Sequence, residues 1–486
     1  MRLHFILFCK SLFFLVILNN AFAQCVCPEV TESENITITV QTVAELNNAL
    51  DQANNNNGNM TIKIDPGVYV LNSNLRFIGD NMPNLTILGT SGIKEDVIIK
   101  GLGWNNNAVT HIFNVAADNF TVAHMTIGEV YYHAIQVHSN PFDADDFKMQ
   151  NVRIVDAKEQ LFKVSGGGNL FADRGQILCS EFEFTSGVAF QNYTGGIDAH
   201  RSKDWTIKNN IFKHIRSPDG VLAEHAIHMW RESEGTIVDA NQIINCDRGI
   251  GFGLGPSSDS GHIGGLIINN FVHTSRDVGI GLETAPNALV YNNTVVTDNY
   301  SNSIEYRFPT TTNVEIVNNL VNGQITDRSS GSTGIENTNA QISSLTIFKD
   351  AANYDYHIDG DPVDIIDAGT YTNHINTDYD CDNRINGVAI DIGADEVDLT
   401  SAADVILSDQ CIELYPNPTP GKFTIQGILI NFEIQIIDSN GNVYQTWNQS
   451  SGEIEIDLSS LPIGLYFIRI EHKNSVQVYL QSMIKS

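Results

Sequence analysis

The sequence predicts an all-β protein built mainly as a parallel solenoid, and three observations carry that prediction. Short apolar segments recur around an isoleucine: "HAIQVH" at 133–138, "GIDAH" at 196–200, "HAIHMW" at 225–230, "RGIGFG" at 248–253, "VGIGLE" at 278–283 and "NSIEYR" at 302–307. From Ile197 onward each copy leads into a second apolar strand that ends in Asn210, Asn241, Asn270, Asn293 or Asn319. No stretch between them keeps a helical period, and short alternating runs broken by turn residues mark strands. The anchors Ile197, Ile227, Ile250, Ile280 and Ile304 are 30, 23, 30 and 24 residues apart. A unit of that length is too small to close a core alone. It buries its apolar side chains by stacking on its neighbours.

Taken in order, the chain of 486 residues opens "MRLHFILFCKSLFFLVILNNAFAQ". A basic start, an apolar run and Ala21-Phe22-Ala23 read as a secretory signal peptide over 1–23. In "TVAELNNALDQA", Val43, Leu46, Leu50 and Ala53 share one helical face. Thr42 and Glu45 have capping-box spacing, so this stretch reads as a helix covering the first coil. "MTIKIDPGVYVL" then begins the coils, which run within 24–345. "LFKVS" (161–165) fills the gap before Ile197, and "TGIENT" (333–338) is a weaker last copy. The asparagine column fits a ladder of amides bonded from coil to coil.

With those residues in view, the region 35–345 resembles a right-handed parallel β-helix of the pectate-lyase-like superfamily. Residues 346–400 then resemble the closing segment of secreted bacterial β-helix proteins. Within it Asp378, Asp380 and Asp382 alternate like a calcium loop, but Asn383 stands where Gly is wanted. A polar end cap is the first reading and calcium the alternative; no cofactor is otherwise implied. From 411 to 486 come alternating strands with Pro416-Asn417-Pro418, Gly421, Asp438, Gly441, Leu461, Gly464, Tyr466 and Lys485. This unit resembles the C-terminal sorting domain of the type IX secretion system. The resemblance implies a Bacteroidota-type route through periplasm and outer membrane, with release or surface attachment, and the secretion machinery as partner.

The formal charge is −30, and removal of a leader carrying Arg2 and Lys10 takes it to −32. A nucleic-acid partner needs basic surface, so that class is set aside. No later stretch reaches the ~20 apolar residues of a membrane helix. Cys25, Cys27, Cys179, Cys246, Cys381 and Cys411 are scattered. They do not form a readable framework; a Cys381–Cys411 bridge is one open pairing.

Strand alternation sorts the polar residues. With Ile197 inside, one outward column reads Gln136, Lys163, Asp198, His228, Gly251, Gly281, Glu305. The next reads His138, Ser165, His200, Trp230, Gly253, Glu283, Arg307. His133, His225 and Arg248 stand at the turn into the strand. Ionisable walls around a glycine floor describe a groove for an extended chain, and an acidic polysaccharide is the natural partner. Asp198, His200, His228 and Arg248 are the candidate catalytic residues. Lys163, His225, Trp230, Glu283, Glu305 and Arg307 are candidates for binding substrate. No metal ligand set is assigned.

The leading functional expectation is a polysaccharide lyase acting by β-elimination on a uronate polymer. That reaction needs a cation for the carboxylate, a base for the C5 proton and an acid for the leaving oxygen. His228 or His200 supplies the base, Asp198 orients it, and Arg248, Arg307 or Lys163 meets the carboxylate. The Asn-Glu-x-x-Glu-x-Lys pattern of alginate- and chondroitin-cleaving β-helix lyases is absent, as is a pectate-lyase calcium cluster. Three alternatives stay open. "IDAH" resembles the Asp-Pro-His motif of β-helix mannuronan epimerases, with Ala199 in place of Pro. A glycoside hydrolase would use a carboxylate pair such as Glu283 and Glu305. A non-catalytic glycan-binding or adhesive solenoid would use the groove alone.

Overall fold

The structure, a computed structural model, describes residues 27–397 apart from 33–34, 81–82, 361 and 388. It also describes 413–485 apart from 427–431, 439–442, 450–453 and 473–477. The leader (1–23) and the Cys381–Cys411 pairing lie outside these residues. The chain divides into two compact units, one ending at Val397 and one beginning at Asp398.

In the first unit each apolar repeat becomes a strand paired in parallel with the next coil. A ten-stranded sheet runs from Leu75–Ile78 to Gln324–Asp327, every strand lying beside its successor in the chain. Its register is set by one internal column. Leu75, Phe113, Ile135, Phe162, Ile197, Ile227, Ile250, Ile280, Ile304 and Ile325 pair in turn. All but the last are essentially fully buried. Phe162 thus fills the gap before Ile197. Most of the remaining coil strands form a 21-stranded sheet, and Ser233–Glu234 pairs separately with His262–Ile263.

The asparagine ladder is continuous. Nδ2 of Asn210, Asn241, Asn270 and Asn293 donates to Oδ1 of the next member at 2.9, 3.0, 2.8 and 2.9 Å. Asn319 donates onward to Asn339 at 3.0 Å. Each amide also donates to a backbone carbonyl one coil back, so none is left unpaired in the core.

That ladder corrects one expected repeat. Ile335 is not in the isoleucine column; it pairs with Glu315 in the larger sheet and is exposed. Because Asn339 continues the ladder, residues 333–338 stand where 313–318 stand one coil earlier. Ile325 takes the anchor place.

The helix forms over Val43–Asn55, with Thr42 Oγ1 accepting from Glu45 N–H and Glu45 Oε2 accepting from Gln41 N–H. Leu46, Ala49, Leu50 and Ala53 are buried in the solenoid core. Cys27 is bonded to Cys179, across 152 residues.

Residues 346–397 lie along the outside of the coils. Phe348, Tyr356, Ile365 and Ile392 cover Phe271, Val296 and Leu320. Arg384, buried, donates to Asn269 Oδ1 and to the carbonyls of Gly393 and Ala394. In the stretch 378–382, read from sequence as a polar end cap with calcium as the alternative, Asp378 serves as a cap. Asp378 Oδ1 accepts from the N–H of Asp380 and Asp382, and Oδ2 from Glu396 N–H. Asp380 instead meets His357 Nε2 at 2.8 Å. The Asp378 carboxylate is thus turned to backbone N–H groups and that of Asp380 to imidazole.

The second unit has a three-stranded sheet (Glu413–Tyr415, Lys422–Gln426, Ile454–Asp457) and a four-stranded antiparallel one. Their core holds Phe423, Ile434, Ile436, Ile456, Tyr466, Ile468 and Met483. Tyr466 Oη donates to Pro462 C=O at 2.8 Å, and the Lys485 ammonium to Ser459 C=O at 3.1 Å. Since this unit has its own core, a chain ending at Ile412 is expected to keep the melting midpoint of the β-helix. In a host with type IX machinery it is also expected to stay inside the envelope, as cell fractionation would read. A midpoint drop of more than about 5 °C, well over 1 kcal/mol for a domain of this length, would show the tail to be part of the core.

Candidate functional site

The register places the predicted columns as neighbours. Lys163 lies beside Asp198, Asp198 beside His228, His228 beside Gly251, Gly251 beside Gly281 and Gly281 beside Glu305. His200 stands next to Trp230, His225 next to Arg248, and Glu283 next to Arg307.

The expectation of a solvated face fails at its centre. Asp198 is 3% exposed and His228 1% exposed, and Lys163, His225 and Glu305 are buried as well. Rungs only ~4.8 Å apart let long side chains lie over adjacent coils. Trp230, expected to meet a sugar ring, donates its indole N–H to Asp198 Oδ1 at 2.6 Å. Its ring stacks on His228 at 5.3 Å and meets His200 edge-on at 4.5 Å.

Asp198 is the hub. Its Oδ2 accepts from the Lys163 ammonium, and its Oδ1 lies 3.3 Å from His200 Nε2. Burial by itself would raise this carboxyl. The hydrogen bond with His200 and the positive charge of Lys163 overcome that and hold it well below the usual carboxylate range. Burial lowers His200, against the pull of Asp198, and the imidazole is therefore neutral at pH 7. Lys163 Nζ is also 3.2 Å from His200 Nε2. An ammonium only donates, so Nε2 accepts in that contact and Nδ1 then carries the hydrogen; when Nε2–H turns to Asp198 instead, Nδ1 carries the lone pair. His228 uses Nε2 on Gly253 C=O at 3.2 Å. It lies enclosed beneath Trp230, so it is not placed to touch a polymer.

The face resolves into two clusters rather than one. Asp198 and Glu305 are four rungs apart, about 19 Å at ~4.8 Å per rung. Between them Gly251 and Gly253 are required by contact. A Cβ on Gly251 would lie 2.8 Å from three atoms of the His225 ring. Gly253 has φ +73°, and a Cβ there would lie 1.7 Å from Glu283 O. In the distal cluster Glu283 is paired with Arg307 and accepts from Gly255 N–H. Glu305 accepts from Tyr300 at 2.8 Å, Asn302 at 3.1 Å and Arg328 at 2.8 Å. Its buried carboxylate is engaged by these three donors. Arg248 Nε donates to Asp277 at 3.0 Å, and its NH1 lies 3.9 Å from Glu224.

Two residues not assigned from sequence join the Asp198 cluster. Glu224, which precedes its strand and so falls outside both columns, has Oε2 3.6 Å from His228 Nδ1. Its position directly before His225 was the available signal. Tyr193 is 52% exposed. Burial, with the negative charges of Asp198, Glu159 and Glu224, raises its phenol and keeps it protonated. Tyr193 lies in a loop, where strand alternation assigns no direction.

The second unit carries the clearest assignment. Residues 413–485 match the family model described as the secretion system C-terminal sorting domain. The protein is thus a secreted, cell-surface-directed β-solenoid bearing a type IX sorting domain. Among the described residues no helix is long and apolar enough to cross a membrane. No curated protein sequence matches the chain significantly. Among solved structures the chain is similar to the Dettilon tailspike protein gp208, with 12% identity and TM-score 0.41, over 63% of this chain and 68% of that one. It is similar to pectate lyase Pel9A at 11% identity and TM-score 0.39, over 70% and 88%. The alginate lyase of Paenibacillus sp. strain FPU-7 shows 12% identity and TM-score 0.32, over 55% and 94%.

Proposed function

We propose that the protein acts on an extracellular uronate polysaccharide, and that it cleaves the chain by β-elimination. The observation that supports this reading is the Asp198 hub: a buried carboxylate held ionised by Lys163, in contact with a neutral imidazole at its surface. That is how a general base is oriented and made more basic. Burial favours His200 over His228 as that base. In this reading His200 Nδ1 takes the C5 proton while Nε2 faces Asp198. Tyr193, kept protonated, gives a proton to the leaving oxygen. Arg248 meets the uronate carboxylate, with Asp277 holding its side chain in place. Glu283 and Arg307, about three to four rungs along the face, would bind a more distant sugar.

The same groups would serve a C5-epimerase, which removes the same proton and returns one from the opposite face. The Asp198–x–His200 spacing together with Tyr193 near Asp198 favours keeping this second reading. Incubation with a panel of uronate polymers separates them. New unsaturated ends indicate a lyase, and altered stereochemistry at constant chain length indicates an epimerase. Reducing ends without unsaturation, or no chemical change at all, would overturn both.

A pH profile gives a further check. A base must be neutral, and His200 is lowered from its ordinary 6.5 by burial. The acid limb of kcat/KM is therefore expected below pH 6.5. A limb centred above pH 7 would exclude His200 as the base.

A further inference from the structure

We infer that Glu224, His225 and His228 form a binding site for a divalent first-row transition cation of the Zn²⁺ class. One ligand atom from each of these residues lies within 4.8 Å of the others. The argument rests on unmet hydrogen bonding. Among the described residues, Glu224 Oε2, His225 Nδ1 and His228 Nδ1 are all buried atoms with no hydrogen-bond partner. Buried polar atoms are almost always paired, and three such deficits converge here. His225 and His228 are both more than nine-tenths buried.

The local geometry suits a metal. His228 Nε2–H is donated to Gly253 C=O, which leaves a lone pair on Nδ1. This is the usual second-shell arrangement that fixes the tautomer of a ligating histidine. His228 Nδ1 and Glu224 Oε2 are 3.6 Å apart. Two ligands of a tetrahedral ion with bonds of ~2.0–2.1 Å are about 3.4 Å apart. Gly251 provides the space for the His225 ring, since a Cβ there would strike it. Two imidazoles and one carboxylate select Zn²⁺-like ions over Ca²⁺, which takes six to eight oxygens. Three protein ligands leave a fourth position open. Arg248 NH1 lies 3.9 Å from the same Glu224 Oε2, beyond hydrogen-bond reach, so that oxygen stays free for an ion. None of this depends on the polysaccharide reading.

The test uses the full secreted chain, stripped with chelator and titrated calorimetrically with Zn²⁺ and then with Co²⁺. One equivalent is expected to bind with micromolar or tighter affinity, and Co²⁺ to give the strong visible bands of a tetrahedral site. A tenfold excess of Ca²⁺ should not compete. Glu224 is partly exposed, so Glu224→Ala should fold; it is expected to weaken Zn²⁺ at least tenfold, as is His225→Gln. His357→Ala, in the separate His357, Asp380 and Asp395 cluster, is expected to leave affinity unchanged. Absence of binding below millimolar Zn²⁺, as expected if only a water bridges the three atoms, would overturn the assignment. So would Ca²⁺ competition, or loss of affinity in His357→Ala but not in Glu224→Ala.

Discussion

Asp198→Asn is expected to lower turnover on the natural polymer by at least about 100-fold, the scale of general-base assistance. The amide keeps the shape of the side chain and part of its hydrogen bonding. It removes the charge that orients His200 and stabilises the imidazolium formed as the proton is taken. Such a loss falls on the transition state, so kcat should drop more than KM rises. The same change has a structural cost. Lys163 is buried and its ammonium is paired with Asp198. Removing one partner of a buried pair costs about 3–5 kcal/mol, so the unfolding midpoint should fall too. Lys163→Met in the Asp198→Asn background is expected to restore much of the stability and none of the activity. Recovery of activity along with stability would mean that Asp198 serves only the fold.

Asn270→Ala is expected to destabilise the β-helix by more than about 3 kcal/mol. Asn270 Oδ1 accepts from both the N–H and the Nδ2 of Asn241. Its Nδ2 donates to Val238 C=O, Ile268 C=O and Asn293 Oδ1. Alanine abandons donors and acceptors on both neighbouring coils, and each buried orphan costs about 1–3 kcal/mol. Equilibrium denaturation in urea would measure the change. A loss under 1 kcal/mol would show that water enters the turn and replaces the amide.

The fold was legible because a solenoid writes its register repeatedly. Ile197, Ile227, Ile250, Ile280 and Ile304 each carried the same information, and so did the asparagines. One copy was misread: Ile335 has an apolar context like the others, and only the ladder bond of Asn339 shows which sheet it joins. The site was legible in position but not in environment. Alternation gives the side of the strand on which Asp198 and His228 lie. It does not say that Trp230 folds back over both, or that Arg328 and Tyr300 fill Glu305. Those facts depend on side-chain length acting across coils of unequal loop length. Glu224 and Tyr193 stayed hidden because both lie outside strands, where no period applies.

The bond between Cys27 and Cys179 alters how such a molecule comes apart. A stack of coils has two free ends, and thermal fraying or an extracellular protease begins at an end and works inward. Here the N-terminal end is tied to a turn 152 residues further on. Peeling the first coils therefore gains little chain freedom until the tie is cut; a closed loop of this length is worth about 5 kcal/mol in the chain-entropy view. The Asp198 cluster straddles that tie, with Lys163 before Cys179 and Asp198, His200 and His228 after it. The candidate face thus sits beside the part of the rope least able to unravel, and reduction should expose the N-terminal coils to proteolysis before it touches that face.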